Sequence, residues 1–433
     1  MKRLAAVLLL VAASAHADAP AAGQKLTFQG AIDIALAKNF EVTGAKEAVL
    51  ASEAKTSSAS EKRWVGLNVN ASANRWREAY ALPFGGMTFT LHEDFTTTTV
   101  VSLNQPLTGL AYLTELVDAS EHDTNATRKD YDKTRLDIAY KTADAYLRVL
   151  RARAAATVAH QSVNDIASEL ERATQLRQAE TYTDIDVLRL KSSKAAADQT
   201  ALRAESAVAS ALSHLTVQIG LPDGAPIDLD DDLPAQPPAL AMTIEQAQQR
   251  AITSRPDVAS AQEHLAAAKN MRTAAKEKLL PDIRAVAAWQ HFTGVQPFQP
   301  EDEEYVGLTA QWNVWDWGST YHGITEANHQ VSRAELALQA LPDLVKAEVR
   351  ERWLDAKVKF DSLAVAQVQQ QTAEEAYRLQ KVKLDNAAAT TTDVIDAETD
   401  VARARLALAD ARYDYYLALV GLARSVGDLP NPK

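Results

Sequence analysis

Between Gly109 and Gly220 the chain has neither glycine nor proline, and between Pro342 and Gly421 it again has neither. Runs of that length without a helix breaker demand helices far beyond the usual three or four turns. Taken as one helix, residues 107–178 would extend about 105 Å at 1.5 Å per residue. Such a rod cannot fold back into one compact core, so it must pack against other rods, from its own chain and from copies of it. The 433 residues hold only 15 glycines and 15 prolines, which argues against a doubly wound or sandwich fold rich in tight turns.

The rods carry a seam. Val401, Leu408, Tyr415 and Leu422 recur every seven residues, interleaved by Ala404, Ala411 and Ala418. Ala201, Val208 and Leu215, over Ala197, Ala204 and Ala211, repeat the pattern earlier in the chain. This is coiled-coil packing with alanine on one side, which lets neighbouring helices approach closely.

The pattern is written twice. Leu26-Thr27 and Ala31 recur as Met242-Thr243 and Ala247, Lys38-Asn39-Phe40 as Ser254-Arg255-Pro256, and Glu61 as Glu277, all at a spacing of 216. Farther on the spacing is 207: Tyr146-Leu147 maps to Trp353-Leu354, Asp186-Val187-Leu188 to Asp393-Val394-Ile395, and Gly220 to Gly427. The change of nine residues between Ala71 and Val101 places one extra-long loop in the first copy. The chain therefore divides into a first structural repeat over residues 18–221, a linker over 222–241, a second repeat over 242–427 and a tail over 428–433. The linker holds five of the 15 prolines and the acidic run Asp228-Leu229-Asp230-Asp231-Asp232. Each copy reads as helix, two strands, very long helix, turn, helix: a mainly α chain with membrane β.

The strands fall at about 64–80 and 96–106 in the first copy and 281–292 and 304–315 in the second. Val65, Leu67, Val69, Ala71 and Ala73 alternate with Gly66, Asn68, Asn70, Ser72 and Asn74, the period of a strand with one apolar and one polar face. Six of the seven tryptophans, Trp64, Trp76, Trp289, Trp312, Trp315 and Trp317, lie in or beside these strand pairs. They read either as ordinary strand composition or as an aromatic girdle at a membrane interface. Four strands are too few to close a barrel, since about eight is the smallest closed size, and an open sheet in lipid leaves unpaired edge groups. Strands in a membrane therefore force oligomers.

Met1-Lys2-Arg3, an apolar run over residues 4–13 and the small-x-small site Ala15-His16-Ala17 read as a cleavable signal peptide over residues 1–17. No later segment supplies 18 consecutive apolar residues, so the exported chain is either soluble outside the cytoplasm or held in a membrane by strands. The absence of cysteine excludes disulfides, thiolate metal sites and a lipid-carrying N-terminus. A formal charge of -12 disfavours nucleic acid as a partner. No catalytic constellation, phosphate-binding glycine loop or cofactor motif is found. His322 and His329 lack a carboxylate partner at metal spacing, so no metal site is expected. Glu301-Asp302-Glu303-Glu304 reads as a solvated hairpin loop, with cell-surface contact as the alternative.

Taken together, duplication, element order and leader resemble the TolC-like outer-membrane efflux proteins, trimeric channel-tunnels of Gram-negative bacteria. The resemblance covers almost the whole mature chain. It is carried by the corners Leu103-Asn104-Gln105-Pro106-Leu107 and Val314-Trp315-Asp316-Trp317-Gly318, and by returning helices that open with Asp186-Val187-Leu188 and Asp393-Val394-Ile395-Asp396-Ala397. It implies a homotrimer, a 12-strand β-barrel in outer-membrane lipid continued by a 12-helix α-barrel in the periplasm. It further implies a passive conduit for drugs or other small toxic compounds, driven by an inner-membrane transporter through a periplasmic adaptor. Export of a secreted polypeptide is the alternative cargo. A soluble periplasmic coiled-coil scaffold would explain the heptads but not the strand pairs.

In such a channel the turns near residues 181–186 and 390–396 would ring the periplasmic entrance. The resemblance matches Asp393 and Asp396 to entrance aspartates, six in a trimer, a ring that favours cations and whose crowding should raise some carboxylate pKa values. The first copy keeps Asp186 but has Arg189 where the second has Asp396, which would temper the ring or form ion pairs across the turns. The other reading of these aspartates is helix N-terminal stabilisation. Many relatives carry glycine and a basic residue just ahead of the motif; here the run is Ala387-Ala388-Ala389-Thr390-Thr391-Thr392, so a clasp built on those residues does not carry over.

Overall fold

The computed structural model describes residues 25–178, 182–231, 233–234, 236–295, 299–386 and 388–430. The leader read over residues 1–17 lies outside them, as do residues 431–433 of the tail. The chain forms two compact units, one from Met1–Ala45, Tyr131–Arg255 and Asp343–Lys433, the other from Lys46–Asp130 and Pro256–Pro342.

The first copy runs α1 (Phe28–Lys38), α2 (Phe40–Glu61), β1 (Gly66–Arg75), β2 (Tyr80–Phe84), β3 (Met87–His92), β4 (Phe95–Pro106), α3 (Gly109–Gln178) and α4 (Asp184–Gln218). The second runs α5 (Ile244–Ser254), α6 (Pro256–Glu277), β5 (Asp282–Thr293), β6 (Asp302–Gln311), α7 (Ser319–Asp385) and α8 (Thr391–Val426). The first breaker-free run becomes the 70-residue α3 and the returning α4, and the second becomes the C-terminal part of the 67-residue α7 and most of α8. The helix α7 starts well ahead of Pro342, which sits in its interior, where the missing N–H leaves the Leu338 carbonyl without its helical partner.

In the first unit the repeats share atomic contacts as well as letters. Tyr146, fully buried on α3, donates its hydroxyl to the Leu26 carbonyl at 2.9 Å. The matching Trp353 on α7 donates its indole N–H to the Met242 carbonyl, the counterpart of Leu26, at 2.8 Å. The single opening helix expected in each copy is broken in two, at Asn39 and at Arg255. The Asn39 amide donates to the Gln218 carbonyl at 2.9 Å, and Arg255 donates to the matching Ser425 carbonyl at 3.1 Å. Each break is covered by the glycine ending the returning helix, Gly220 (φ +78) over Lys38–Asn39 and Gly427 (φ +88) over Ser254–Arg255. A left-handed residue at a helix end is where glycine belongs.

Of the heptad positions, Val401, Ala404, Tyr415, Ala418 and Leu422 are buried, as are Ala197, Ala201 and Leu215, whereas Leu408, Ala411, Ala204, Val208 and Ala211 are half-buried. The proline-rich segment between the copies is strapped to the helices rather than left as a free linker. Leu26 and Leu229 form a parallel bridge. Tyr416 and Tyr415 of α8 donate their hydroxyls to the Pro234 and Pro238 carbonyls, both at 2.6 Å, and Arg153 of α3 donates to the Leu229 carbonyl at 3.0 Å. Prolines bring carbonyls without N–H donors, so the helices supply the donors.

The second unit holds a four-stranded antiparallel sheet in the order β1-β4-β5-β6. Its register aligns Leu67, Leu103, Ala287 and Val306 in one rung and Val69, Val101, Trp289 and Glu304 in the next. The intervening rungs, Asn68–Ser102–Ala288–Tyr305 and Asn70–Val100–Gln290–Glu303, point the other way. The strands expected over 64–80 and 304–315 are shorter. After Trp76 the chain enters a separate hairpin, β2–β3, in place of the expected extra-long loop, closed by Gly85 (φ +61) and Gly86 (φ +89). The strand β6 stops at Gln311, where the Trp312 indole donates to the Leu279 carbonyl at 3.1 Å. Asp302, Glu303 and Glu304 belong to β6 rather than to a loop.

Candidate functional site

The turns that join α3 to α4 and α7 to α8 are built by the same local chemistry. Each returning helix opens on a threonine N-cap, Thr183 or Thr390, in a capping box with an aspartate three residues on, Asp186 or Asp393. Asp393 accepts from the Thr390 backbone N–H and hydroxyl, both at 2.7 Å. Asp186 accepts from the Thr183 hydroxyl at 2.6 Å and backbone N–H at 3.2 Å. These two carboxylates thus serve their own helix ends, the second of the two sequence readings. Hydrogen bonds from Thr183, its side chain foremost, hold the Asp186 carboxyl below its ordinary value. The Thr390 backbone N–H does the same for Asp393. In both cases hydrogen bonding to the charged form outweighs the opposing effect of burial.

The turns are also tied to each other. Arg189 donates to the Thr392 hydroxyl at 3.0 Å, and the Thr391 side chain and the Arg189 charge both help to hold the Asp186 carboxyl below its ordinary value. Arg172 of α3 pairs with Asp385 of α7, and Lys381 of α7 with Glu169 of α3 at 2.5 Å. Asp393, Asp396 and Asp400 line one open groove of about 660 Å³ on α7 and α8. Among the four residues singled out from the sequence, Asp393 and Asp396 therefore share a surface, while Asp186 and Arg189 stitch the first turn to the second. The contact of Arg189 with Thr392 had no sequence signal beyond the hydroxyl run itself.

Removing either cap hydroxyl should loosen its turn: Thr390→Ala is expected to cost about 1 kcal/mol locally, read as faster amide exchange over residues 388–396. The carboxylates give this contribution a pH sign. Both folded values lie below the ordinary 3.8, so the stabilisation is complete well above that value. It is lost as pH falls through the depressed folded values. Protection factors at both turns should hold down to about pH 5 and decline below pH 4.

The tryptophans occupy distinct levels of the sheet unit. Only Trp289 lies within a strand, on the apolar face and stacked on His291 at 5.8 Å. Trp76 follows β1 and donates to the Thr96 hydroxyl at 3.0 Å. Trp64, Trp312, Trp315 and Trp317 flank the opposite, helix-side end of the sheet, between 60% and 86% exposed. The β2–β3 hairpin was missed from sequence, although two glycines between Leu82-Pro83-Phe84 and Met87-Thr88-Phe89 are a strong hairpin signal. Among the described residues no group of three or more His, Cys, Asp or Glu is arranged to hold a metal ion.

The sequence model of the outer membrane efflux protein family matches residues 31–221 and 247–428, one stretch in each repeat. The outer membrane efflux protein BepC of Brucella suis biovar 1 (strain 1330) is 24% identical over 345 residues, covering 77% of this chain and 72% of BepC. The outer-membrane channel OprN shares the fold with a TM-score of 0.77 at 19% identity, over 92% of this chain and 89% of its own. The outer membrane protein VceC of Vibrio cholerae does so with a TM-score of 0.77 at 16% identity, over 93% and 97%.

Proposed function

This chain belongs to the outer membrane efflux protein family, and we propose that three copies of it form the exit duct of an efflux system. In that assembly the sheets close into a 12-strand barrel in the outer membrane and the helices continue the bore into the periplasm. The observation that carries the reading is the sheet itself. Its apolar face is open, with Leu67, Val306 and Leu308 at 65%, 86% and 70% exposure, and both its margins, β1 and β6, pair on one side only. In lipid each unpaired backbone group costs several kcal/mol, and joining β6 of one copy to β1 of the next removes both margins. Among the described residues no helix is long and apolar enough to cross a membrane, so the membrane contact falls to the strands.

The remaining features take places in this duct. The tryptophans at the two sheet ends form the interfacial girdle, and the Asn, Ser and Gln face wets the bore. Asp393 and Asp396, repeated by symmetry, give the entrance its cation preference. Transport is passive, driven by an inner-membrane transporter through a periplasmic adaptor, and the cargo is small toxic compounds, because both the family and BepC are efflux proteins. A soluble scaffold has no use for the open apolar face.

Two measurements test the reading. The protein should require detergent for extraction and run at the mass of three chains; a monodisperse monomer in detergent-free buffer overturns the duct. In planar bilayers Asp393→Ala with Asp396→Ala should bring the cation-to-anion permeability ratio close to one and weaken block by multivalent cations. Unchanged selectivity and block would remove the entrance role alone.

A further inference from the structure

At the helix-side end of the sheet a groove of about 430 Å³ opens where β4 turns into α3 and α6 turns into β5. Its floor is a knot of three hydrogen bonds. Thr108 donates its hydroxyl to the Pro281 carbonyl at 2.6 Å, the Ile283 N–H donates to that hydroxyl at 2.8 Å, and the Leu107 N–H donates to the Ile283 carbonyl at 2.8 Å. Tyr112, Leu113 and Leu280 supply apolar wall. Four charges reach the groove, and they divide into two kinds. Arg284 is satisfied by Asp282 at 2.6 Å. Glu277 and Lys278, also lining it, form no ion pair among the described residues, and the Lys278 ammonium stands 5.7 Å from the centroid of the Tyr112 ring. Leu279 and Leu280, each 55% exposed, and Trp312, 60% exposed, continue the apolar surface outward.

We infer that this groove holds the headgroup of a zwitterionic glycerophospholipid from the membrane around it. An ammonium and a carboxylate on consecutive residues of one groove, neither in an ion pair among the described residues, match the phosphate and the ammonium of phosphatidylethanolamine, and the apolar wall takes the first methylenes of an acyl chain. A solely anionic lipid would satisfy Lys278 and set a second negative charge beside Glu277. The Tyr112 ring favours a cation at this place in the groove lining. The first repeat carries the same pair, Glu61-Lys62, before Trp64. The inference rests on the membrane reading above and adds which lipid the corner selects.

The test uses the full chain, purified in detergent, stripped of lipid and titrated with dioleoylphosphatidylethanolamine, dioleoylphosphatidylglycerol or inorganic phosphate, with bound lipid counted by native mass spectrometry. Phosphatidylethanolamine should bind severalfold more tightly than phosphatidylglycerol. Lys278→Gln and Glu277→Gln should each weaken it about tenfold, as expected for loss of a charge-assisted contact, while Lys278→Arg keeps it. Equal lipid counts in the wild type and Lys278→Gln, equal affinity for the two lipids, or displacement by inorganic phosphate would overturn the assignment. A trimer that needs detergent yet shows one of those results defeats only the lipid site; a water-soluble monomer defeats the duct.

Discussion

Tyr146→Ala is expected to cost the helical unit about 4 kcal/mol, the range for removing a buried aromatic ring. The side chain is fully buried, packs edge-on against Phe28 with ring centroids 5.5 Å apart, and its one hydroxyl proton is shared between the carbonyls of Leu26 and Asp230. It thereby pins the start of α1 and the proline-rich strap to one point on α3. Tyr146→Phe keeps the ring and leaves acceptors without that donor, so its loss should be about 1–3 kcal/mol. Thermal scans of the detergent-solubilised protein should rank wild type above Tyr146→Phe and Tyr146→Ala lowest. Equal midpoints for wild type and Tyr146→Phe would mean that the hydroxyl bonds add nothing.

Gly220→Ala should be nearly as damaging, about 3 kcal/mol, because two penalties coincide. The residue holds φ +78, and a Cβ there would stand 2.7 Å from the Lys38 carbonyl oxygen, a backbone atom that cannot swing aside. Its counterpart Gly427 holds φ +88 with the corresponding Cβ 3.1 Å from the Ser254 carbonyl oxygen, so Gly427→Ala should cost less, about 2 kcal/mol. Gly44, inside α2 with nothing within 4 Å of an added Cβ, is the internal control: Gly44→Ala should stabilise by about 0.5–1 kcal/mol. The same thermal scans check the order. A Gly220→Ala protein as stable as wild type would show that the break between α1 and α2 yields to accommodate a side chain.

What the sequence disclosed and what it hid differ in physical kind. Long-range regularities were plain. Absence of breakers gave α3 and the part of α7 beyond Pro342, heptad spacing gave the buried positions Val401, Tyr415 and Leu422, and the offsets of 216 and 207 paired residues that make matching hydrogen bonds. Features decided by a single local bond were hidden. The ends of β1 and β6 depend on where an indole finds an acceptor. The break at Asn39 depends on its amide reaching the Gln218 carbonyl, a residue 179 positions away. At the turns the use of the residues was not legible, since an aspartate three residues after a threonine serves equally as a cap or as a surface charge.

Position 146 holds a phenol and position 353 an indole, yet each delivers a proton to the carbonyl at the same point of its own repeat. Likewise an amide at 39 and a guanidinium at 255 reach matching acceptors. What the two halves of the chain share at these points is the wiring of donors to acceptors, while the side chains delivering the hydrogens differ. Kinship among such chains is accordingly deeper than letter-by-letter agreement suggests. A lineage can replace most of its residues and keep its shape, provided that each replacement still brings a hydrogen to the oxygen waiting for it.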